Sequence, residues 1–269
     1  AANMALRRIK VLFVTSELYP LVKTGGLADV SASLPAALQG LGIDVRILMP
    51  GYSGVLTQLP RTRKIGLISN VSAYFPDCVL RSARTPKSGV PLFLLDCPTL
   101  YDHQNGPYQD QLGNDLPHNH LRFGLLGYIA ALLASDRSPL MWRPDIVHCN
   151  DWQSGLTPAY LHFEHGAKPP SIITIHNLAF QGIFPPENLP WLSLPATSFQ
   201  INGLEYYGNI SFLKAGLYYA DRITTVSPTY ALEIQSEESG CGLDGTLRHR
   251  ADRLSGILNG IDTTEWNPA

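Results

Sequence analysis

Short apolar strands alternate with helical segments along this 269-residue chain, and this alternation limits its possible folds more than any other feature. The run 10–16 is apolar and β-branched, which predicts a buried strand of a parallel sheet. Residues 27–41 carry apolar side chains at helical spacing, and the run 45–49 predicts the next strand. A strand, a crossover helix and a second strand form a βαβ unit, and such units build parallel sheets.

Proline and glycine residues affect the expected shape and end of the first predicted helix. Pro35 lies inside it and is expected to kink the helix or reset its start, because proline lacks an N–H and clashes with the preceding turn. Gly40 and Gly42 are expected to end the helix, since glycine tolerates the left-handed backbone common at that position.

The same alternation continues to the end of the sequence. Strand-like runs occupy 65–75, 78–82, 90–95, 145–149, 171–175, 222–226 and 254–258. Helical spacing is found over 121–135, 155–165, 212–220 and 229–235. Residues 101–117 are rich in Asn, Gln, Asp, Gly and Pro, which predicts a long surface loop. We therefore predict one α/β domain over residues 9–269, built on a Rossmann-like, doubly wound parallel sheet.

Composition excludes several classes of protein. Hydrophobic residues make up 45% of the chain and charged residues 16%, which is typical of a globular protein. The net charge of −2 argues against a nucleic-acid partner or an anionic membrane surface. No apolar run reaches the roughly 18 residues of a membrane span. The four cysteines are sparse and unpatterned, which fits a reducing compartment without disulfides.

Polar clusters follow several predicted strands, at the sheet edge where open parallel sheets bind ligands. The first cluster is 23–29 (KTGGLAD). Gly25 and Gly26 allow close approach of a ligand, the next helix offers free N–H groups, and Lys23 adds charge, so a phosphate or diphosphate would fit. The spacing is neither a dinucleotide fingerprint nor a P-loop. The alternative is a tight turn in which Asp29 offsets the helix dipole.

Two further clusters contain groups suited to a sugar. In 148–152 (HCNDW), Asp151 can bind hydroxyls and the indole of Trp152 can cover a ring face. Alternatively, Asp151 caps the following helix and Trp152 belongs to the core. His176 and Asn177 end the next apolar strand, and His176 either binds a sugar hydroxyl or is an ordinary core histidine.

The remaining polar patterns are less specific. The turn 259–262 (NGID) follows the last predicted strand and is either a simple turn or part of the same site. The histidine pairs in 118–120 and 162–165 lack a third ligand at a recognised spacing. We therefore expect no metal site.

The order and spacing of these motifs resemble the glycogen and starch synthases, which use nucleotide-activated glucose. The matching segments are 16–17 (SE), 19–20 (YP), 23–30 (KTGGLADV), 34–38 (LPAAL), 50–52 (PGY), 100–102 (LYD), 122–123 (RF), 142–148 (WRPDIVH), 150–152 (NDW), 174–179 (TIHNLA), 210–228 and 258–262. Together they run from about residue 9 to the C-terminus. No single motif is decisive, but their combination is specific.

The resemblance implies the GT-B arrangement, in which two Rossmann-like domains face each other across a cleft, with this chain as the N-terminal domain. It implies retaining transfer of glucose from ADP-glucose or UDP-glucose to the non-reducing end of an α-1,4-glucan such as glycogen, starch or a malto-oligosaccharide. Neither a cofactor nor a metal ion is implied. The Lys-Thr-Gly-Gly-Leu form favours ADP-glucose, and a bacterial cytoplasm is favoured over a plastid stroma.

By the same resemblance, Asp151 and His176 are the candidate catalytic residues, because they are expected beside the transferred glucose. Asn177 is expected beside the same glucose. Tyr101 is expected close to the donor or the acceptor.

The implied substrate-binding set also includes the residues around the glycine pair. Lys23 and the backbone of Gly25 and Gly26 are expected to reach the donor phosphates and sugar. Asp29 and Asn259 are expected to complete this set.

The family's second domain, which binds most of the nucleotide, does not follow in this sequence. We therefore expect little or no transferase activity from the chain alone. One alternative is a glucan-binding half-domain without chemistry, and another is a different GT-B transferase, such as a sucrose synthase or a trehalose-forming enzyme. A Rossmann oxidoreductase would need a dinucleotide fingerprint, which residues 23–29 do not provide.

Overall fold

The computed structural model describes residues 7–70, 72–102 and 106–267. The strands are β1 (Lys10–Val14), β2 (Asp44–Pro50), β3 (Arg63–Ile68), β4 (Cys78–Arg84), β5 (Pro91–Asp96), β6 (Ile146–Asn150), β7 (Ser171–Ile175), β8 (Ile183–Phe184), β9 (Glu205–Tyr206), β10 (Asn209–Ser211), β11 (Arg222–Thr225) and β12 (Leu254–Gly256). The α-helices are α1 (Gly26–Gly40), α2 (Ser53–Gln58), α3 (Pro98–Tyr101), α4 (Asn119–Leu133), α5 (Thr157–Phe163), α6 (Phe212–Tyr219), α7 (Pro228–Glu233) and α8 (Asp244–His249). Short 3₁₀ helices span Trp152–Ser154, Pro186–Leu192, Ala196–Ser198 and Ala251–Arg253.

Nine strands form one sheet in the order β12-β11-β7-β6-β1-β2-β5-β4-β3. All neighbouring strands from β12 through β11, β7, β6, β1 and β2 to β5 pair in parallel. Strand β4 pairs antiparallel with both β5 and β3. The chain moves from β1 to β2 on one side and later returns to β6 on the other. The predicted doubly wound sheet is therefore confirmed, with its switch point between β1 and β6 and with two antiparallel strands added at one edge.

The first helix differs in one respect from the expectation at Pro35. Helix α1 is a single helix from Gly26 to Gly40, so Pro35 does not reset its start. The predicted end is confirmed: Gly42 has φ +87°, its N–H donates to the Gln39 carbonyl at 2.9 Å, and the Ile43 N–H donates to the Leu38 carbonyl at 3.1 Å. These bonds satisfy carbonyls of the last helical turn that would otherwise lack partners.

A buried helical layer supports one face of the sheet. Helix α4 packs on β1 and β2, and α5 packs between α4 and α6. Nearly every residue of α4 is buried, as expected of a helix that is apolar all round. In the described part of the chain, no helix is both long and apolar enough to cross a membrane.

The long loop before α4 is anchored by a buried arginine. Arg122 is 1% exposed, and its Nε and Nη1 donate to the carbonyls of Leu100 at 2.8 Å and Pro107 at 2.7 Å. Nη1 also donates to the side-chain oxygen of Asn119 at 2.7 Å. These bonds replace regular secondary structure in holding the loop, and they place Tyr108 against the carboxyl end of β1.

Several parts of the architecture, among them helices α2 and α8, had no counterpart in the predictions, and one predicted strand has other bounds. The strands β8, β10 and β9 form a separate antiparallel sheet, and each is only two or three residues long, too short for a periodic pattern. Strand β3 ends at Ile68, several residues before the predicted end at 75.

Candidate functional site

The candidate site lies at the carboxyl ends of β1, β6 and β7, beside the switch point of the sheet. Asn150, the last residue of β6, joins the three strand ends. Its Nδ2 donates to the Val14 carbonyl of β1 at 3.0 Å, and its Oδ1 is 2.9 Å from Nε2 of His176, just after β7. Asn150 is fully buried, so the arrangement is fixed by the sheet itself.

Asp151 occupies an unusual backbone conformation next to Asn150. Its φ of 55° and ψ of −169° lie in a region that is essentially restricted to glycine and costs on the order of 1–3 kcal/mol. The side chain is 8% exposed, and Oδ1 accepts hydrogen bonds from the backbone N–H groups of His176 at 2.7 Å and Asn177 at 3.4 Å. In the part of the chain that the structure describes, no donor is found for Oδ2, which leaves that oxygen open to a ligand hydroxyl.

The sequence left two alternatives open for each of Asp151 and Trp152, a sugar-binding role or a structural one, and the structure gives different answers for the two residues. Asp151 stands at the start of the 3₁₀ helix Trp152–Ser154, but its side chain makes no capping bond there. Trp152 is 8% exposed and packs against Phe123 and Phe212, with ring centroids 5.0 and 6.0 Å away. The carboxylate therefore faces the site, whereas the indole belongs to the core and offers no sugar platform.

The hydrogen bonds of Asn150 set the tautomer of His176. Because the amide nitrogen of Asn150 donates to Val14, its oxygen must face His176 and accept a hydrogen bond from the Nε2–H group. Burial lowers the pKa of His176 to about 4, so the ring is neutral near pH 7. A neutral ring protonated on Nε2 has an unprotonated Nδ1, which is a hydrogen-bond acceptor for a sugar hydroxyl.

The carboxyl of Asp151 titrates in an unusual range. Burial raises its pKa to about 7, the N–H groups of His176 and Asn177 act in the opposite direction, and the nearby carboxylate of Glu17 raises it further. A group with such a pKa exchanges a proton readily near neutrality, which is typical of functional sites.

Glu17 organises the glycine loop that follows β1. It is 4% exposed, and Oε1 accepts the N–H groups of Thr24 at 2.5 Å and Gly25 at 3.2 Å. Oε2 accepts the hydroxyl of Tyr108 at 2.7 Å, and the Tyr108 oxygen lies 2.6 Å from Oγ of Ser16. Since the carboxylate of Glu17 also raises the pKa of Asp151, Glu17 connects the glycine loop with the cluster around Asp151.

The glycine pair faces open space. A Cβ added at Gly25 or at Gly26 would meet nothing within 4 Å, so packing within the chain does not explain either glycine. Lys23 and Asp29 form an ion pair at 2.7 Å, with 46% and 53% of their side chains exposed. An exposed pair contributes little stability, so Lys23 is free to exchange Asp29 for a ligand phosphate. The N–H of Gly25, however, is already bound by Glu17.

Two further predicted site residues are Tyr101 and Asn259. Tyr101 is fully buried, its hydroxyl donates to the Arg122 carbonyl at 2.6 Å, and its ring packs edge-on against Tyr52. Its side chain packs in the core, and its expected position close to the donor or the acceptor stays a prediction. Asn259 is exposed in the segment after β12, and its expected place in the substrate-binding set stays a prediction.

The prediction from sequence named Asp151, His176 and Asn177, and the structure brings these three together. It did not assign a role to Glu17, Asn150 or Tyr108. For Glu17 a signal was present, namely a carboxylate directly after an apolar strand, but its partner Tyr108 is 91 residues away in sequence. No group of three His, Cys, Asp or Glu side chains suited to a metal ion is found among the described residues.

Acid is expected to destabilise the fold through two partly buried histidines, His148 and His176. His148 bonds Oγ1 of Thr174 at 2.7 Å, and burial lowers its pKa to about 4, as it does for His176. Below pH 6.5 the unfolded chain takes up protons on both histidines and the folded chain does not. The free energy of unfolding therefore decreases as the pH falls from 6.5 towards 4. The raised pKa of Asp151 has the opposite effect over this range, because its folded-state carboxyl binds a proton more readily than the unfolded one and the free energy of unfolding rises as the pH falls.

Urea unfolding between pH 4.5 and 6.5 tests this balance. Replacing His148 with asparagine should lower the slope of unfolding free energy against pH by one proton, about 1.4 kcal/mol per pH unit. The matched control is the exposed His249→Asn, which should leave the slope unchanged. Equal slopes for the wild type and His148→Asn would contradict the prediction.

Known proteins match this chain over nearly its whole length. The sequence model of the starch synthase catalytic domain matches residues 10–249. The glycogen synthase of Nitrosomonas europaea is 58% identical over 263 residues, covering 97% of this chain and 53% of that protein. The glycogen synthase of Aromatoleum aromaticum is 56% identical over 267 residues, covering 99% and 54%.

A solved structure agrees with these sequence matches. The catalytic domain of starch synthase IV from Arabidopsis thaliana, bound to ADP and acarbose, superimposes with a TM-score of 0.82 at 28% identity. The superposition covers 98% of this chain and 54% of that one. The chain therefore spans about half the length of the curated relatives it matches.

Proposed function

Because the chain belongs to the starch synthase catalytic domain family, we propose that it forms the acceptor-binding and part of the donor-binding half of a retaining glucosyltransferase. The reaction is transfer of glucose from ADP-glucose to the non-reducing end of an α-1,4-glucan. One observation carries the proposal: at the switch point, a strained and buried Asp151 holds His176 and Asn177 beside an open glycine loop.

The glycine loop suits the diphosphate of the donor. The start of α1 presents N–H groups and the positive end of the helix dipole, and Lys23 adds a mobile charge next to it. Negative charge grows on the leaving diphosphate as the glucosyl bond breaks. The fixed N–H groups stabilise that charge without reorganisation, and Lys23 adds to this stabilisation once it has exchanged Asp29 for the diphosphate, which favours the transition state over the bound donor.

The cluster around Asp151 suits the transferred hexose. Oδ2 of Asp151 and Nδ1 of His176 are acceptors for sugar hydroxyls, and the Asp151 carboxylate stabilises the positive charge that develops at C1. A glycoside hydrolase would need two carboxyls flanking the scissile bond. Glu17 is the other buried carboxylate near Asp151, and both its oxygens are bound to Thr24, Gly25 and Tyr108. Transfer is therefore favoured over hydrolysis.

ADP-glucose is proposed as the donor rather than UDP-glucose. The support is the Lys-Thr-Gly-Gly-Leu form of residues 23–27 and the ADP bound to the related starch synthase IV. The acceptor proposal has similar support, since that relative also binds acarbose. The curated matches are bacterial glycogen synthases, which supports a bacterial cytoplasm over a plastid stroma.

The test is incorporation of labelled glucose into glycogen with ADP-glucose or UDP-glucose. Two proteins are compared: this chain, and an extended chain that adds a C-terminal half from the Nitrosomonas europaea relative. We expect incorporation with ADP-glucose by the extended chain, and little or none by the 269-residue chain. Incorporation from UDP-glucose alone would overturn the donor assignment, and absence of incorporation from both donors would overturn the transferase proposal.

A separate measurement tests the alternative hypothesis that the chain is a glucan-binding domain without catalytic activity. Calorimetry of the 269-residue chain with maltoheptaose and with ADP-glucose, titrated separately, measures each affinity. Glucan binding together with an inactive extended chain would favour a binding module.

A further inference from the structure

A second concave region lies at the opposite end of the sheet from the candidate site. It has a volume of about 980 Å³ and is lined by the starts of β2, β3 and β5 and the end of β4. The candidate site is formed where β1, β6 and β7 end. The two regions therefore lie at opposite edges of the sheet, and no residue is shared between them. We call this region the arginine cavity, after Arg46, Arg61, Arg63 and Arg84 in its lining.

The strand register places three of these arginines on one face of the sheet. Pro91 of β5 pairs with Arg84 of the neighbouring strand β4. When the β2–β5 register is extended by one residue, Arg46 of β2 lies opposite Pro91 on the other side of β5. Strands are about 4.8 Å apart, so the Arg46 and Arg84 backbones are separated by about 10 Å. Arg63 of β3 pairs with Ser82, two residues from Arg84, and therefore shares that face.

The positive charge of the arginine cavity is poorly balanced. Its lining contains no aspartate or glutamate. Arg46 bonds Asp44 at 3.3 Å, and Arg84 donates to the Gly89 carbonyl at 2.9 Å. Within residues 7–70, 72–102 and 106–267, no ion pair or hydrogen bond engages the Arg61 or Arg63 side chain. This concentration of cations in a chain of net charge −2 indicates an anionic ligand.

The wall of the arginine cavity offers a flat apolar surface. Trp142 is held by a bond from its Nε1 to Asp44 at 2.9 Å, and Phe93 packs edge-on against it at 6.1 Å. The guanidinium of Arg46 stacks on Trp142, 4.5 Å from the ring centroid, which orients that charge. Leu59 and Ile65 extend the apolar lining. A ligand here can place a ring against the wall while its charged groups reach the arginines.

We propose that the arginine cavity binds a small sugar carrying two phosphate groups. Guanidinium groups pair with phosphate in a bidentate fashion, and arginines on separate strands, with backbones about 10 Å apart and long side chains, can each take one of two phosphates on one sugar. The volume lies at the upper end of the range for small-molecule sites. The arginine cavity and the proposed transfer site lie at opposite ends of the parallel strands. A sugar bound in the arginine cavity therefore does not compete with the glucosyl donor.

Calorimetry of the 269-residue chain tests the proposal with a charge series: fructose 1,6-bisphosphate, fructose 6-phosphate and fructose. We expect 1:1 binding of the bisphosphate, weaker binding of the monophosphate and none of the free sugar. Saturating ADP should leave the bisphosphate affinity unchanged. The double variant Arg63→Gln/Arg84→Gln should weaken bisphosphate binding at least about tenfold, as loss of two charge-assisted contacts does.

The matched control is Arg253→Gln, an exposed arginine outside the arginine cavity, which should keep the affinity within about twofold. Urea unfolding of the double variant checks that the fold is retained. Three results would overturn the proposal: no heat of binding with any probe at millimolar concentration, equal affinity of wild type and double variant, or displacement of the bisphosphate by ADP. Binding of only a long polyanion, such as heparin, would also overturn it.

Discussion

Replacing Asp151 with alanine in the extended chain is expected to lower the rate of glucose transfer by about 10³-fold, with a small effect on glucan binding. The carboxylate contributes in two ways. Oδ1 holds the backbone N–H groups of His176 and Asn177, and in the proposed reaction the charge would stabilise the glucosyl cation. Loss of both displaces the sugar-binding groups and removes the electrostatic contribution.

Asparagine at the same position separates the two contributions. Asp151→Asn keeps an oxygen acceptor for His176 and Asn177 but removes the charge, so its activity should lie between those of the wild type and the alanine variant. Asp252→Ala is the control, because Asp252 is an exposed residue outside the site. Initial rates of labelled glucose incorporation measure all three. An alanine variant within tenfold of the wild type would remove Asp151 from the proposed mechanism.

Gly155→Ala is expected to destabilise the domain by about 3 kcal/mol or more. A Cβ on Gly155 would lie 2.2 Å from the backbone oxygen of Phe212 and 2.7 Å from its carbonyl carbon. It would also be 3.0 Å from the backbone oxygen of Trp152. These are backbone atoms that cannot rotate away, so α6 must separate from the 3₁₀ helix Trp152–Ser154. That shift also moves Asp151, which directly precedes the 3₁₀ helix.

The matched control is Gly54→Ala in α2. Gly54 is exposed, a Cβ there would meet nothing within 4 Å, and alanine is the better helix former, so this variant should be unchanged or stabilised by up to about 1 kcal/mol. Urea unfolding of both variants gives the two free energies. A Gly155→Ala midpoint equal to that of the wild type would show that the close approach of α6 is not required.

Local patterns accounted for most of the architecture. The predicted strand at 171–175 coincides with β7, and the predicted helix at 121–135 overlaps α4 within two residues at each end. Hydrophobic periodicity and turn residues act over a few neighbours, so they can be recognised without a fold. The strands β8, β9 and β10 escaped because two or three residues carry no period.

The candidate site was located from sequence more accurately than it was described. Asp151, His176 and Asn177 were singled out because they follow apolar strands, and the carboxyl ends of parallel strands meet at one end of the sheet. Their roles were assigned through the resemblance. Tyr101 was chosen through resemblance alone, and the structure instead places its ring in the core against Tyr52. A motif reports which residue occurs at a position, but the direction of its side chain depends on what packs around it.

The sequence by itself determined the order of strands and helices, the glycine loop after the first strand and the polar residues at the strand ends. Only the tertiary structure decided what those polar residues do. The β6–β7 pairing carries the Asp151 carboxylate to the N–H of His176, 25 residues away, and the loop held by Arg122 carries Tyr108 to Glu17. Such contacts depend on strand register and on burial across the whole sheet, and neither is encoded in the neighbours of a single residue.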